Sequence, residues 1–312
     1  MGKKTKNRRN AAVIILILCL VGYAASASGH RPVQSLQLKA AYFVDSPENA
    51  QLSGLTVYAG DLFTVSDKHD QWIYRIRISG ETARLEKHCP TGISVFQVFR
   101  GYDFEGIAHD AKGNFYLASE AERRILRVPK GGQNPDWIIS DLKLRGQAAG
   151  LFQVSNAYLE GIAYIPRRYF LLCAERQPRG FLEINASKHP VQVRAYQSEQ
   201  SNHHFAEGRS PDFSGLCRYQ GNFYVLERNA YSVSRLHKVD SRFNPGEGWS
   251  YQHIETSPKY RYADMRYGKA EGLCIDADHV YIVLDNNNVG RAEDPGDKRP
   301  LLFIFLRPMD MK

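Results

Sequence analysis

One segment plan occurs five times in the sequence, and this repeat constrains the fold more than any other feature. Each copy opens with Ser or Glu, then Gly, then an aliphatic residue, and continues into an apolar run that ends in Asp or Glu. The copies open at Ser53, Glu105, Glu160, Ser214 and Glu271, which are 52, 55, 54 and 57 residues apart by subtraction. A period of this size with strand-like content is typical of a β-propeller.

The repeat predicts an all-β fold, a five-bladed β-propeller with four antiparallel strands per blade. In the second copy we expect strands at 106–109, 115–119, 125–128 and 137–139. The last copy has room for three strands, at 272–275, 280–284 and 301–306. The apolar run at 36–44 is expected to supply the fourth, so that the N-terminal strand closes the ring. Six blades are the alternative, if residues 240–270 contain a degenerate copy.

The first 27 residues differ in composition from the rest. A basic head is followed by an apolar run at 11–21, too short to span a bilayer comfortably, and by the small residues Ala25-Ser26-Ala27. This predicts a signal peptide at 1–27, a single propeller domain at 28–312, and a secreted or periplasmic protein. An uncleaved membrane anchor is the alternative.

The charge balance disfavours nucleic acid as a partner. The chain has 41 Lys and Arg against 33 Asp and Glu, a net charge of +8. Five of the basic residues lie in the predicted signal peptide, which has no acidic residue, so 36 basic residues remain against 33 acidic ones. A balance near +3 does not indicate a nucleic-acid surface. We expect a monomer with no stable membrane span after signal cleavage.

In a propeller, the first strand of each blade lines the central channel, and the second strand returns antiparallel to the same end. The repeat therefore predicts two rings of polar side chains at one mouth of the channel. The inner ring consists of the opening residues Ser53, Glu105, Glu160, Ser214 and Glu271. The second ring consists of Asp67, Glu120, Glu175, Glu227 and Asp285, which lie 14, 15, 15, 13 and 14 residues downstream of these openings.

The inner ring is a candidate metal site. Carboxylates that converge on one axis repel one another unless they are protonated or compensated by a cation. Oxygen ligands alone suit a hard ion, and Ca²⁺ tolerates irregular coordination better than Mg²⁺ does. We therefore predict Ca²⁺ bound by the five opening residues. The alternative is a hydrogen-bonded ring that holds water and braces the blades.

The second ring is a candidate catalytic and substrate-binding site. Its five carboxylates are candidates to position or deprotonate an attacking water. Basic residues follow four of these acids and are candidates to bind a substrate phosphate, namely Lys68, Arg124, Arg176 and Arg228. Weak surface ion pairs would give the same alternation of charge. In the loop before Ser214, His203 and His204 are further candidate substrate contacts, with solvated loop histidines as the alternative.

These segments resemble a known family. The Glu-Gly-Ile/Leu openings and the runs FYLASE, FLLCAE and FYVLER resemble the phytase-like esterase family of secreted β-propellers. The EGI and SE segments are also similar to those of SdiA-regulated proteins. The cyclic order Ser, Glu, Glu, Ser, Glu resembles the central calcium site of five-bladed calcium-activated apyrases, which hydrolyse nucleoside di- and triphosphates. The resemblance implies a calcium site at the five opening residues and a catalytic acid at Asp67.

Together these observations favour a secreted, calcium-binding propeller that hydrolyses esters or anhydrides of phosphoric acid, with a small phosphorylated substrate. One alternative is a propeller without catalytic activity that binds a ligand or an envelope component. Another is a lactonase-like hydrolase of carboxylic esters, which uses an axial metal but needs no basic residues around the substrate.

Overall fold

A computed structural model describes residues 33–92, 101–139, 142–201, 203, 205 and 208–312. The predicted signal peptide and His204 lie outside these residues. Within them, no helix is long and apolar enough to cross a membrane.

The described residues form an all-β structure. The strands are β1 (Gln34–Ser35), β2 (Gln37–Asp45), β3 (Leu52–Tyr58), β4 (Asp61–Ser66), β5 (Trp72–Ser79), β6 (Thr82–Pro90), β7 (Phe104–His109), β8 (Phe115–Ser119), β9 (Arg124–Val128), β10 (Asp136–Trp137), β11 (Leu159–Ile165), β12 (Tyr169–Ala174), β13 (Gly180–Asn185), β14 (Gln192–Gln197), β15 (Gly215–Tyr219), β16 (Asn222–Glu227), β17 (Ser232–Val239), β18 (Arg242–Ser250), β19 (Ala270–Ile275), β20 (His279–Leu284) and β21 (Leu301–Leu306). The helices are α1 (Leu142–Ala148) and α2 (Gln252–Glu255), with a 3-10 turn at Arg228–Ala230.

The strands pair antiparallel in groups of four. Group 1 is β3–β6, group 2 is β7–β10, group 3 is β11–β14, group 4 is β15–β18, and group 5 is β19–β21 with β2. Strand β2 lies beside β21, with Gln37 opposite Leu306, so the early run supplies the outer strand of the last group, as the sequence predicts. It also pairs in parallel with β6, where Val44 lies opposite Ala83. This strand therefore joins the last group to the first.

The apolar core consists of five clusters, each between two neighbouring groups. One lies between groups 1 and 2, and the others follow in order until the fifth lies between groups 5 and 1. Strand β12 shows why its sequence is almost wholly apolar: Phe170 and Leu172 face the cluster shared with group 2, whereas Leu171 and Cys173 face the one shared with group 4. Successive strand residues point to opposite faces, and here both faces are buried.

The glycine after each opening residue lies against the backbone of the next group. A Cβ on Gly106 would lie 2.5 Å from the carbonyl oxygen of Glu160, and a Cβ on Gly272 would lie 2.7 Å from the carbonyl carbon of Gly54. The same holds for each consecutive pair, so the first strands follow one another in a closed cycle. Residues from all five of these strands line a cavity of about 110 Å³ at the end away from the openings.

Several expectations for single segments can now be compared with the structure. Residues 240–269 contain β18, α2 and an isolated bridge between Tyr262 and Arg291, without a further group of strands. The fourth strand of group 2 is β10, shorter than predicted and one residue earlier. The four cysteines after the predicted signal peptide are buried free thiols, and Cys217 and Cys274 lie in apolar clusters.

We expect Gly106→Ala to destabilise the protein by about 1–3 kcal/mol, because the new methyl group must displace backbone of the neighbouring group. Urea unfolding of the purified variant measures this. The matched control is Gly296→Ala, whose Cβ would meet only the Asp294 carboxylate at 3.4 Å. Equal free energies of unfolding for the two variants would contradict the close approach of the first strands.

Candidate functional site

Backbone hydrogen bonds bring the two predicted rings to the same end of the strands. The N–H groups of Asp67, Glu120, Glu175 and Asp285 donate to carbonyl oxygens at distances of 3.3, 2.8, 3.0 and 2.8 Å. The acceptors are, in the same order, Gln51, Asp103, Tyr158 and Lys269, each two residues before an opening residue. Four second-ring residues therefore lie beside the start of the first strand in their own group. We call this end of the channel the mouth.

Three buried carboxylates meet between groups 2 and 3. Glu120, Glu160 and Glu175, here called the Glu160 triad, offer oxygen atoms within 4.8 Å of one another. Glu120 accepts a hydrogen bond from the Tyr158 N–H at 2.8 Å. Burial raises the pKa of Glu120 to about 7 and holds the pKa of Glu160 well above its ordinary value, with further repulsion from Glu105 and Glu271.

Some carboxylate oxygens of the Glu160 triad accept no hydrogen bond from the described residues. The Oε1 atom of Glu175 accepts from Arg176 and Arg228, but its buried Oε2 has no partner among the described residues. Glu160 itself is 6% exposed, and no hydrogen bond or ion pair to its side chain is seen in the described part of the chain. A buried polar atom left unpaired costs about 1–3 kcal/mol, and more when it is charged. The triad therefore fits a ligand that supplies positive charge.

A second set of carboxylates lies beside the first strand of group 2. Asp67, Asp103 and Glu105, here called the Asp67 triad, are partly buried and also offer oxygens within 4.8 Å of one another. The Lys68 ammonium, 47% exposed, pairs with Asp67 at 2.6 Å. Burial raises the pKa of Asp67 to about 7, against the opposing effect of Lys68. Burial and the charges of Asp103 and Asp67 hold the pKa of Glu105 well above its ordinary value, although Ser53 donates a hydrogen bond to it.

A buried arginine, Arg228, lies at the mouth and bonds carboxylates of groups 3, 4 and 5. The Nε atom of Arg228 lies 2.8 Å from Asp212 Oδ2, and its two terminal nitrogens pair with Glu271 and Glu175. The side chain is only 15% exposed. Burial disfavours the charged guanidinium, but Glu271 and Asp212 nevertheless hold the pKa of Arg228 well above its ordinary value. Because all three nitrogens already bond carboxylates, the prediction that Arg228 binds substrate is revised: it is an internal counter-ion.

The inner ring is divided rather than arranged as one set of five ligands. Burial raises the pKa values of Glu105 and Glu160, and repulsion from Glu271 adds to both shifts. However, Glu271 pairs with Arg228, and burial raises its pKa to about 8 despite that pair. The Ser214 hydroxyl donates to the Ala270 carbonyl at 2.7 Å. The five predicted ligands thus have different partners in the structure, and the metal site at these residues stays a prediction.

Glu227 departs from the other second-ring residues. Its oxygens accept from Arg179 and Ser234, both at 2.6 Å, and from Ser201 at 3.2 Å, while His203 Nε2 lies 3.2 Å away. Burial opposes ionisation, but His203, Arg179 and Ser234 lower the pKa of Glu227 to about 2. A fully paired, buried carboxylate is a poor base. The arrangement argues against a catalytic role for Glu227 and against a substrate contact by the buried His203.

The position of Glu227 in its hairpin explains this departure. Strands β15 and β16 pair in the same register as β3 and β4, since Tyr219 lies opposite Asn222 where Tyr58 lies opposite Asp61. Glu227 lies five residues after Asn222, as Ser66 lies five residues after Asp61, so Arg228 has the position of Asp67. Successive strand residues point to opposite faces, and Glu227 faces group 3, where it meets Arg179.

The remaining candidate residues, Arg124, Arg176 and Asp285, differ in their exposure and in the hydrogen bonds that they already make. Arg124 donates from Nε to the Ile139 carbonyl at 3.1 Å and stacks on Trp137. These contacts hold its guanidinium against the outer part of group 2. Arg176 is 29% exposed and bonds Glu175 and the Asn156 carbonyl. The buried Asp285 accepts the Asn287 N–H at 2.8 Å, and burial raises its pKa to about 6.

The sequence prediction missed the residues two positions before each opening. These are Gln51, Asp103, Tyr158, Asp212 and Lys269. Three carry charge: Asp103 completes the Asp67 triad, Asp212 binds Arg228, and Lys269 lowers the pKa of Asp285. Their common offset in the repeat was available in the sequence. The different position of Glu227 also left a trace, because the first and fourth copies share a two-residue turn yet differ in spacing, 14 against 13 residues.

Comparison with known proteins gives one family match. A family model described as phytase-like, "Esterase-like activity of phytase", matches residues 48–288. No curated protein matches the sequence.

Solved structures resemble the chain only distantly. Glutaminyl cyclase of Myxococcus xanthus is 11% identical, with 88% of this chain and 100% of that chain covered and a TM-score of 0.48. Gluconolactonase of Xanthomonas campestris is 12% identical, with coverage of 83% and 73% and a TM-score of 0.43. Virginiamycin B lyase of Staphylococcus aureus is 10% identical, with coverage of 88% and 99% and a TM-score of 0.40. Likenesses of this extent carry no argument about activity.

The raised pKa values predict how stability depends on pH without a metal. Asp67, Glu120 and Glu271, with pKa values of about 7, 7 and 8, bind protons more tightly when folded than when unfolded. Stability from this source is complete below the unfolded pKa, near 4, and is lost as pH rises through the folded values. In chelator, we therefore expect the melting temperature to fall between about pH 5 and pH 8.

Differential scanning fluorimetry in chelator and in calcium chloride measures this dependence. Calcium should reduce the fall, because a bound cation replaces the protons. Glu255, buried at the end of α2 and outside the two triads, also has a pKa of about 7 and adds to the fall. Glu255→Gln is therefore the control, and should remove only the share that calcium does not affect. A melting temperature that stays level or rises with pH in chelator would contradict the analysis.

Proposed function

Because the chain belongs to the phytase-like family, we propose that it is a calcium-dependent hydrolase of phosphate esters or anhydrides. The observation that carries this proposal is the mouth itself, where buried carboxylates border the partly exposed cations Lys68 and Arg176. The substrate is a small phosphorylated molecule. The same proposal includes a signal peptide at 1–27, a secreted or periplasmic location and a monomeric state.

We propose that the five groups of strands are the blades of a five-bladed propeller. The support is the set of five apolar clusters between neighbouring groups and the cyclic contacts of the glycines. In this arrangement the N-terminal strand β2 closes the ring by completing group 5. The mouth is then the end of the central channel at which every first strand begins.

The Glu160 triad fits a hard divalent cation. Its donors are carboxylate oxygens, and the buried Oε2 of Glu175 has no hydrogen-bond partner in the part of the chain that the structure describes. A cation there would polarise a phosphoryl oxygen and offset its charge. Glu120 and Glu175, predicted to act on a water, are thus reassigned to cation binding.

The other residues of the mouth bind the substrate and move a proton. Arg176 and Lys68 contact phosphate oxygens, Arg176 through guanidinium nitrogens and Lys68 as a point charge. Asp67 accepts the proton of the attacking water, because its pKa of about 7 suits a general base near neutral pH. Asp285, with a pKa of about 6, is the second candidate for this role.

Activity of the purified protein on phytate, nucleotides, p-nitrophenyl phosphate and lactones, with calcium and with chelator, tests the proposal. We expect calcium-dependent release of phosphate. Asp67→Asn should lower kcat by about 10²–10⁴-fold, as loss of a general base does. The control is Asp61→Asn, at the other end of β4, where Asp61 pairs with Arg75 and Arg77.

Two outcomes would contradict the proposed activity. If every substrate stays intact while calcium raises the melting temperature, the protein is a binding module. If only lactones are hydrolysed, it is a hydrolase of carboxylic esters. An equal loss of kcat in Asp61→Asn and Asp67→Asn would remove Asp67 from the mechanism.

A further inference from the structure

A cavity of about 650 Å³ lies at the end of the channel opposite the mouth. We propose that this cavity is a second ligand site, which binds a small anion with two or more phosphate groups. We call it the basic cavity, because its lining includes Lys112, Arg127, Arg168 and Arg218. The inference goes beyond the proposed function and uses no residue of the mouth.

The cations of the basic cavity come from different groups of strands. Lys112 lies in the turn between β7 and β8, Arg168 in the turn between β11 and β12, and Arg218 near the end of β15. All three are exposed, and no ion pair or side-chain hydrogen bond of theirs is seen in the described part of the chain. Arg127, on β9, pairs with Asp136 at 3.1 Å. Three cations without a described acidic partner therefore line one cavity.

Asp110 is an acidic residue that lines the basic cavity, and both of its oxygens are engaged within its own turn. One oxygen accepts the backbone N–H groups of Lys112 and Asn114 at 2.9 and 3.0 Å. The other accepts the Asn114 side-chain amide at 2.8 Å and the Tyr116 hydroxyl at 3.0 Å. The single charge of Asp110 offsets one of the three cations at most, so positive charge remains in excess.

The inner wall of the basic cavity adds neutral polar groups. His109, Tyr164 and Arg218 line both this cavity and the smaller one inside the channel. Thr56 Oγ1 lies 2.9 Å from His109 Nδ1, and no partner of the other ring nitrogen is seen among the described residues. The Tyr164 ring stacks on Tyr116, with the ring centroids 5.1 Å apart. The imidazole and the tyrosine hydroxyl can thus donate to an anion beside the Arg218 guanidinium.

The size and the donors of the basic cavity indicate the class of its ligand. Sites for small molecules are clefts of about 300–1,000 Å³, and this cavity falls within that range. Guanidinium groups bind phosphate oxygens through two parallel N–H donors, and an ammonium binds them as a point charge. A phosphate monoester carries about −1.5 to −2 charges at pH 7, more than a carboxylate does. Cations from three groups of strands suit several such groups on one molecule.

Isothermal titration of the full chain with sodium pyrophosphate in excess EDTA tests the site. The proposed hydrolysis needs calcium, so the pyrophosphate should stay intact under these conditions. We expect Arg168→Gln and Arg218→Gln each to weaken binding by about 10-fold, as loss of a hydrogen bond to a charged group does. Both side chains are exposed, so an unchanged melting temperature should accompany the weaker binding.

Arg167→Gln is the matched control. Arg167 is an exposed arginine of the same turn as Arg168, and both have a positive φ, but Arg167 does not line the basic cavity. We expect it to leave the affinity for pyrophosphate unchanged. Equal affinities of the Arg167→Gln and Arg168→Gln variants would overturn the site.

Two further ligands test the class of the anion. Citrate, which carries carboxylates in place of phosphates, should bind more weakly than pyrophosphate, and tighter citrate binding would overturn the phosphate assignment. Sedimentation with phosphatidylglycerol vesicles separates a free ligand from a lipid headgroup. If the protein sediments with vesicles, Arg168→Gln abolishes this, and pyrophosphate does not bind, the basic cavity is a membrane contact and the small-molecule proposal is wrong.

The double variant Lys68→Gln, Arg176→Gln distinguishes failure of this inference from failure of the proposed function. We expect it to bind pyrophosphate in EDTA as the wild type does. If it loses binding while Arg168→Gln binds normally, the phosphate binds at the mouth, which overturns the basic cavity and leaves the proposed function standing. Binding that depends on Arg168 and Arg218, with no hydrolysis of any phosphate substrate in calcium, would remove the activity and leave this site.

Discussion

The ion pairs of Arg228 are the interaction on which the rest of the mouth depends. One buried guanidinium holds carboxylates from three neighbouring groups of strands. Loss of one partner from such a network costs about 3–5 kcal/mol, because charges remain buried without compensation. The glycines that follow the openings allow the first strands to approach closely, and this approach forces the acidic side chains together. Close packing and charge compensation are thus two parts of one arrangement.

The basic side chains that pair with the acidic residues are distributed unequally among the five groups of strands, so the repeated structure forms an asymmetric site. Four groups place an acid at the same position after the second strand, but group 4 places Arg228 there, because its acid comes one residue earlier in the hairpin than Asp67 does in group 1. The acid of that group, Glu227, forms an ion pair with Arg179 in a separate network. Arg228 bonds Glu175 and Glu271, and the Oε2 atoms of both are buried without a hydrogen-bond partner among the described residues.

Most of the fold could be predicted from the sequence, since the repeat period, the apolar runs and the incomplete last copy are local patterns. β8 and β21 have the predicted bounds, and β2 pairs as expected. The location of the mouth also followed from the repeat. The pairing of side chains did not, because Arg228 and Glu271 are far apart in sequence and meet only when the groups close. Glu227 looked equivalent to Glu175, and only the register of β15 and β16 shows that it faces the other way.

Anomalous diffraction from crystals grown with calcium would test the central claim most directly. The proposal predicts one peak, with oxygens of Glu120, Glu160 and Glu175 at about 2.3–2.6 Å, and the Arg228 guanidinium still bonded to Glu271. A peak on the channel axis bonded jointly by Glu105, Glu160 and Glu271 would contradict it. So would the absence of any peak, with short hydrogen bonds between carboxyl groups in its place.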